Sequence, residues 1–236
     1  MTWFHPFTIT PLGDSALVVD FGDQISEALN DRVLRLYHSM MQHRHPAVID
    51  LVPAYASLGV FYDISLVRRS GQTAFEVIAE WIEQLPFTEV PAQPTAVTEI
   101  PVCYHPDFGI DIVSVAMANA LSTDEIIERH TSRTYRIFMN GFQPGFPYMG
   151  LVDEVIAFPR RETPRKRVRA GSVGIAGKQT GIYPVDSPGG WQIIGRTPVR
   201  IFNPGSENPV LLAAGQFVRF YPITPDEFTN YQAGSA

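Results

Sequence analysis

The chain has 236 residues, of which 45% are hydrophobic and 18% charged. That is enough apolar side chain for a packed core and too little charge for a disordered chain, and the length suits one large or two small domains at about 100–200 residues each. Eighteen Lys and Arg against 24 Asp and Glu leave a net charge of −6, which argues against a general nucleic-acid binder and points to protein or small-molecule partners.

In chain order, the apolar runs 7–10 and 15–21, split by the turn-like PLGD, predict two strands. Leu29, Val33, Leu36, Tyr37 and Met40 then recur at helical spacing, which predicts a helix from Ser26, its N-cap, to about Met41. Runs 47–52 and 57–62 predict another strand pair, and Phe75, Ile78, Ala79 and Ile82 mark a second helix ending at Leu85. The order ββαββα predicts a small α/β sandwich over 1–85. Pro86, Pro91, Pro94 and Pro101 then interrupt any helix, and 86–99 reads as an extended linker.

From 100 to 236 a second domain is expected. It opens with a strand at 97–104 and two helical pieces, 110–121 and 123–130, the latter led by Thr123. Short apolar runs at 134–139, 172–176, 191–194, 199–202, 210–213 and 217–221, separated by Gly and Pro, predict a sandwich or barrel, making the whole chain α+β. The two halves differ in charge as well. Residues 1–128 carry 5 basic and 17 acidic side chains, and 129–236 carry 13 and 7.

Several chemistries are closed off. No run reaches the roughly 18 apolar residues of a membrane span, and MTWFHPFTIT lacks a signal peptide's basic and apolar regions, so a cytoplasmic, membrane-free protein is expected. The single Cys103 permits neither an internal disulfide nor a Cys-based zinc cluster, and its place in the strand PVCY predicts a buried structural thiol rather than a nucleophile with His130 as its base. His43 and His45 lack a third metal ligand nearby and read as surface imidazoles. AGSVGIAGKQTG tempts a phosphate-loop reading, but Ser172 and Gln179 stand where the loop needs Gly and a Ser or Thr, so these are turn glycines. No G-x-S-x-G elbow marks a serine hydrolase.

Residues 140–200 are the dense segment. NGFQPGFPYMG offers Phe142, Phe146 and Tyr148 as an aromatic wall with Gln143 beside it, or equally an aromatic core with turns. PRRETPRKRVRAG carries six basic residues around Glu162, either a solvated face or an anion site. GKQTGIYPVDSPGGWQIIGRTP sets Lys178, Gln179, Thr180, Tyr183, Ser187, Trp191, Gln192 and Arg196 among Gly and Pro, the way rigid loops hold polar groups of a binding site.

At these residues the sequence resembles the family of the 5-oxoprolinase B subunit, which also includes KipI-type histidine-kinase inhibitors and the allophanate-hydrolase subunit 1 segment of carboxyltransferases. PLGDSAL (11–17), IPVCY (100–104), FGIDI (108–112), GFQPGFPYMG (141–150), AGSVGIAGKQTGIYP (170–184) and SPGGWQIIGRTP (187–198) carry the resemblance over nearly the whole chain. The family usually has Pro where this chain has Arg169 and often Gly where it has Lys178. The resemblance implies a cyclophilin-like β-barrel in the second domain, a homologous C subunit and an A subunit as partners, and ATP-dependent opening of 5-oxoproline to glutamate, with this chain inactive alone. ATP would serve as co-substrate, accompanied by Mg²⁺, with no tightly bound cofactor. By motif position, Gln179, Thr180, Tyr183 and Ser187 are the catalytic candidates, and Phe142, Gln143, Tyr148, Arg165, Lys178, Trp191 and Arg196 those for substrate or ATP. Among them Arg165, Lys178 and Arg196 would bind anions, and Tyr148 and Tyr183 would wall the pocket or transfer protons. The resemblance leaves two other roles: an inhibitor docking on a sensor histidine kinase, and a carboxyltransferase component of a biotin-linked urea pathway.

Overall fold

The computed structural model describes residues 7–67, 71–86 and 97–233. The chain divides into two compact units, Met1–Gln93 and Pro94–Ala236. Of the expected linker 86–99, residues 87–96 lie outside the described residues, and Val97 already begins a strand.

The first unit runs β1 (Thr8–Pro11), β2 (Ala16–Asp20), α1 (Glu27–Gln42), β3 (Val48–Pro53), β4 (Ser57–Tyr62) and α2 (Ala74–Gln84), the expected order. Its antiparallel sheet is ordered β1-β2-β4-β3. Alternation puts Leu17 and Val19 of β2 and Leu58, Val60 and Tyr62 of β4 on one buried face, in a single core with Val33, Leu36 and Met40 of α1 and Ile78 and Ile82 of α2. Full burial of one such side chain is worth about 1.5–3 kcal/mol, so this face is what fixes the register. α2 starts at a capping box, with Thr73 accepting from the Glu76 N–H and Glu76 accepting from the Thr73 N–H. Ser26 sits at the N-cap of α1 without a side-chain bond.

The second unit contains β5 (Val97–Cys103), α3 (Ile112–Ala118), α4 (Thr123–Thr131), β6 (Thr134–Asn140), β7 (Pro147–Gly150), β8 (Arg165–Val168) and β9 (Ser172–Ala176), then β10 (Gln179–Ile182), β11 (Ser187–Gly189), β12 (Gln192–Arg196), β13 (Phe217–Ile223) and α5 (Pro225–Ala233). Seven strands close into a barrel in the order β10-β7-β6-β13-β5-β12-β9, and β8 and β11 form a separate two-stranded sheet. The β5–β13 pair is parallel and the other barrel pairs are antiparallel. The α+β class with a barrel second unit therefore holds.

Details differ from the expectation. The runs 199–202 and 210–213 are not strands but share one bridge, Phe202 with Val210, while still burying Ile201 and Leu212. Pro198, Pro204 and Pro209 cut those segments short. The N-cap of α4 is Ser122 rather than Thr123, because only Ser122 has a Glu three positions on to complete a capping box.

α4 delivers His130 into the barrel's core. Its Nε2 lies 2.9 Å from Thr180 Oγ1 and its Nδ1 2.8 Å from the Tyr104 hydroxyl. Thr180 donates its own proton to the Gly174 carbonyl at 3.1 Å, so its oxygen accepts from His130 Nε2–H, and His130 Nδ1 accepts from Tyr104. The imidazole also stacks on Phe220, and its burial holds it neutral, with a pKa of about 3.

Candidate functional site

The hairpin between β6 and β7 is built from two successive turns. The Gln143 N–H bonds the Gly141 carbonyl across Phe142, whose φ is 64°, a γ-turn in a conformation L residues rarely adopt. The Phe146 N–H then bonds the Gln143 carbonyl across Pro144 and Gly145, with Gly145 at φ 78°, where a type II turn needs glycine. This places Phe142 on the surface, 61% exposed, and Phe146 in the interior. Backbone strain at an exposed aromatic makes this hairpin a candidate for function.

Phe146 is the hub of an aromatic cluster outside the barrel's own core. Its ring lies 4.8 Å from Tyr148, 5.2 Å from Tyr183, 5.3 Å from Trp191 and 5.7 Å from Phe142, between centroids. Strand alternation explains the position: Val173 and Ile175 of β9 and Ile194 of β12 point into the barrel, while Ala176 and Ile193 point outward to join Phe146 and Trp191. Glycines make the sockets. A Cβ on Gly189 would stand 2.4 Å from the Tyr183 hydroxyl, and one on Gly181 3.0 Å from the Phe146 ring.

A cavity of about 250 Å³ opens over this cluster, walled by Phe142, Tyr148, Tyr183 and Trp191 with Arg160 and Arg161 at one side. Arg160 lies 5.8 Å over the Trp191 ring and makes no ion pair among the described residues. Arg161 stands 3.5 Å from Asp111, a buried carboxylate that also pairs with Arg165 and accepts from the Ile193 N–H at 2.7 Å. Asp111 thus ties the basic segment to β12. Burial raises the Tyr148 and Tyr183 hydroxyls above their ordinary pKa; Arg160 opposes this at Tyr148, and the Trp191 backbone and then Arg160 oppose it at Tyr183. Both remain protonated donors near neutral pH.

The structure gathers Phe142, Tyr148, Tyr183 and Trp191 of the sequence candidates into one wall, and sets Ser187 nearby, its hydroxyl donating to the Pro188 carbonyl. It does not gather the others there. Thr180 faces the barrel interior, one position out of phase with Gln179, and is bonded to His130. Lys178 sits at the tip of the two-residue β9–β10 hairpin, exposed and paired with Glu154. That hairpin, with Gly177 at φ 59°, is what AGKQTG encodes instead of a phosphate loop. Arg165 is tied to Asp111, and one of its buried Nη atoms and the buried Gln143 Oε1 have no hydrogen-bond partner among the described residues. Arg196 lines a different cavity.

Three residues of the site, Arg160, Arg161 and Asp111, escaped the candidate set. The signal for Asp111 was a lone acid between isoleucines in GIDIV, where only a buried, partnered carboxylate is tolerated. Cys103 is buried and its thiol is pushed up by burial, while His130 bonds Tyr104 and Thr180, so no Cys–His pair exists there. His43 and His45 each engage nearby backbone, and among the described residues no group of three or more His, Cys, Asp or Glu is set to hold a metal. No described helix is long and apolar enough to cross a membrane.

Residues 7–212 match the family of the carboxyltransferase domain, subdomain C and D. The chain belongs to that family. The match takes in both units and every residue lining the aromatic cavity. Within this carboxyltransferase-domain family, the chain is 40% identical to the 5-oxoprolinase B subunit of Bacillus subtilis (strain 168), over 97% of this chain and 98% of that one. A conserved uncharacterized protein of Pyrococcus horikoshii is 46% identical over 94% of this chain and all of its own, with a TM-score of 0.56. The solved structure of TTHA0988 gives a TM-score of 0.78 at 36% identity over 88% of this chain, which spans only 40% of that longer one.

Proposed function

We propose that the chain is the B subunit of an ATP-dependent 5-oxoprolinase, opening 5-oxo-L-proline to L-glutamate together with a homologous C subunit and an A subunit. The observation that carries this reading is likeness to a 5-oxoprolinase B subunit along essentially the full length of both chains. The longer solved relative, of which this chain spans 40%, fits a protein that works beside further domains. On this reading the chain alone is inactive and acts in the cytoplasm as part of a hetero-oligomer.

The chemistry asks for an activated amide. The lactam oxygen takes the γ-phosphoryl group of ATP with loss of ADP, water adds to the carbonyl carbon and gives up a proton, the ring C–N bond breaks as nitrogen gains a proton to leave an acyl phosphate, and a second water attacks that acyl phosphate, releasing phosphate and the carboxylate. A cavity of about 250 Å³ with flat aromatic walls is on the scale of a five-membered ring. Arg160 and Arg161 at its side suit the ring carboxylate, Arg160 being the more open because Arg161 already leans on Asp111. Tyr148 and Tyr183, kept protonated by burial, suit donation to an oxygen gaining charge rather than proton abstraction. Mg²⁺ normally accompanies ATP, but the described residues present no three-ligand cluster for it, and no step is routed through it.

The test is reconstitution with the A and C subunits, following ATP-dependent glutamate release from 5-oxoproline. Activity should require this chain, and Arg160→Ala and Tyr183→Phe should each lower turnover by about 100-fold, the scale of losing one stabilising donor. Activity that persists without the chain would overturn the reading and return the kinase-inhibitor role to the front.

A further inference from the structure

The segment between β10 and β12 serves two cavities. Tyr183 and Trp191 line the aromatic one, while Pro184, Val185 and Asp186 line a second, of about 450 Å³, with Arg196 and Arg200 on its wall. This second cavity has an unbalanced charge. Asp186 is already committed, accepting from the Ala170 N–H at 2.7 Å and from Arg167 at 2.9 Å.

Both guanidinium groups of the wall are held by one edge only. Arg196 donates its Nε–H to the Ala170 carbonyl at 2.8 Å and lies 5.6 Å over the Phe228 ring. Arg200 donates its Nε–H to the Phe202 carbonyl at 3.2 Å. Among the described residues no carboxylate pairs with either, so their Nη edges are left for a ligand. Burial pushes the Arg196 pKa down, the positive charge of Arg169 beside it adds to this, and Asp186 opposes it without pairing directly. The backbone builds the mount: Gly171, at φ 82°, comes so close to β12 that a Cβ would stand 2.3 Å from the Thr197 carbonyl oxygen. The carbonyl that holds Arg196 belongs to the residue just before it.

We propose that this cavity is a second ligand site, distinct from the aromatic pocket, that binds the phosphate group of a small organic phosphate. Two guanidinium groups on one cavity wall suit a phosphate monoester, which carries close to two negative charges at neutral pH, better than a carboxylate, which carries one. The volume exceeds what an inorganic ion fills, and Pro184, Pro198 and Phe202 supply apolar wall for the organic part. The site deepens the oxoprolinase reading, whose co-substrate is itself an organic phosphate, yet it is argued from its own charge balance, and AMP binding to the chain alone can fail while the reconstituted activity stands.

Titration of the full chain with AMP, followed by amide NMR, tests it, with inorganic phosphate and glutamate as comparators. AMP should shift the amides of Gly171, Asp186 and Arg200 saturably and bind more tightly than either comparator. Arg196→Gln and Arg200→Gln should each weaken AMP by about 10-fold or more, the scale of one lost charge-assisted hydrogen bond. Arg219→Gln, which removes an exposed arginine paired with Glu99, should leave binding unchanged. Arg200 is exposed, so its variant keeps the fold even if Arg196→Gln does not. The proposal is overturned if no saturable shift occurs at those amides, if Arg200→Gln binds like the parent, if Arg219→Gln weakens binding equally, or if glutamate or inorganic phosphate binds as tightly as AMP.

Discussion

The two units bury their strands differently. In the first, β4 alternates, with Leu58, Val60 and Tyr62 buried and Phe61 exposed, because helices cover one face of the sheet. In the second, all five residues of β9 are buried, since one face fills the barrel and the other lies under the aromatic cluster. A sheet covered on both faces leaves no face to solvent, and the layer that covers it from outside is where the candidate site lies. The site is therefore a second, outer core with an opening, and perturbing it should act on the barrel unit alone.

The largest expected effect comes from the barrel's buried histidine. His130 is held neutral with a pKa of about 3, against about 6.5 for an unfolded histidine. Because the folded pKa is depressed, its contribution is fully present above pH 6.5, and stability falls as pH drops from 6.5 towards 3, where the unfolded chain binds the extra proton. At 1.36 kcal/mol per unit, this is at most about 5 kcal/mol. Between pH 6.5 and about 5.5 carboxylates stay ionised in both states, so the slope there is free of the lowered carboxylates, which add to it only further down. Hydrogen exchange of β6 and β13 amides should show that slope, and amides of β2 and β4 should not. The His130 ring signals should also fail to titrate between pH 8 and 5; an ordinary titration there would break the distinction between the units.

The outer core is the next lever. Gly189→Ala puts a methyl group 2.4 Å from the Tyr183 hydroxyl, and overpacking of this kind costs about 1–3 kcal/mol. The loss should appear in exchange protection of β9, β10 and β12, with the first unit unchanged, and Tyr183 fluorescence or chemical shifts should move. Destabilisation spread equally over both units would contradict the picture of an outer core confined to the barrel.

The same contrast decides how much could be read without coordinates. Strand 57–62 and the helix with Val33, Leu36 and Met40 were legible because one-sided burial writes its period into the sequence. β8 (RKRV) and β11 (SPG) carry no such pattern, since each owes its existence to pairing with the other. β10 (QTGI) hides for another reason: Gly181 must lack a side chain to admit Phe146, and Thr180 is polar because His130 needs a partner. α5 was legible in principle. Thr224, Pro225 and Glu227 form a capping box with Pro at the first helical position, and the strand-rich surroundings obscured it. Of the site, the aromatic wall could be read from its motifs, whereas the separation of Arg196 from that wall depends on where the 183–191 segment turns, which no local pattern records.

A smaller effect sharpens the comparison from the first unit's side. Thr73→Ala removes the acceptor for the Glu76 N–H at the start of α2, a loss of about 1 kcal/mol by the usual worth of an N-cap. Protection should fall across α2 and the strands it covers while the barrel amides stay as they were.

Lys178→Ala should do least. The side chain stands at a hairpin tip, exposed, and its Glu154 partner is more exposed still, so water and salt screen the pair and its removal leaves the thermal midpoint where it was. Activity of the reconstituted assembly should be unchanged too, because the hairpin tip is absent from the linings of both cavities. A large drop in turnover with an unchanged midpoint would mean that Lys178 leaves Glu154 to meet a ligand or partner subunit, and the working surface would then extend beyond the outer core to the β9–β10 tip.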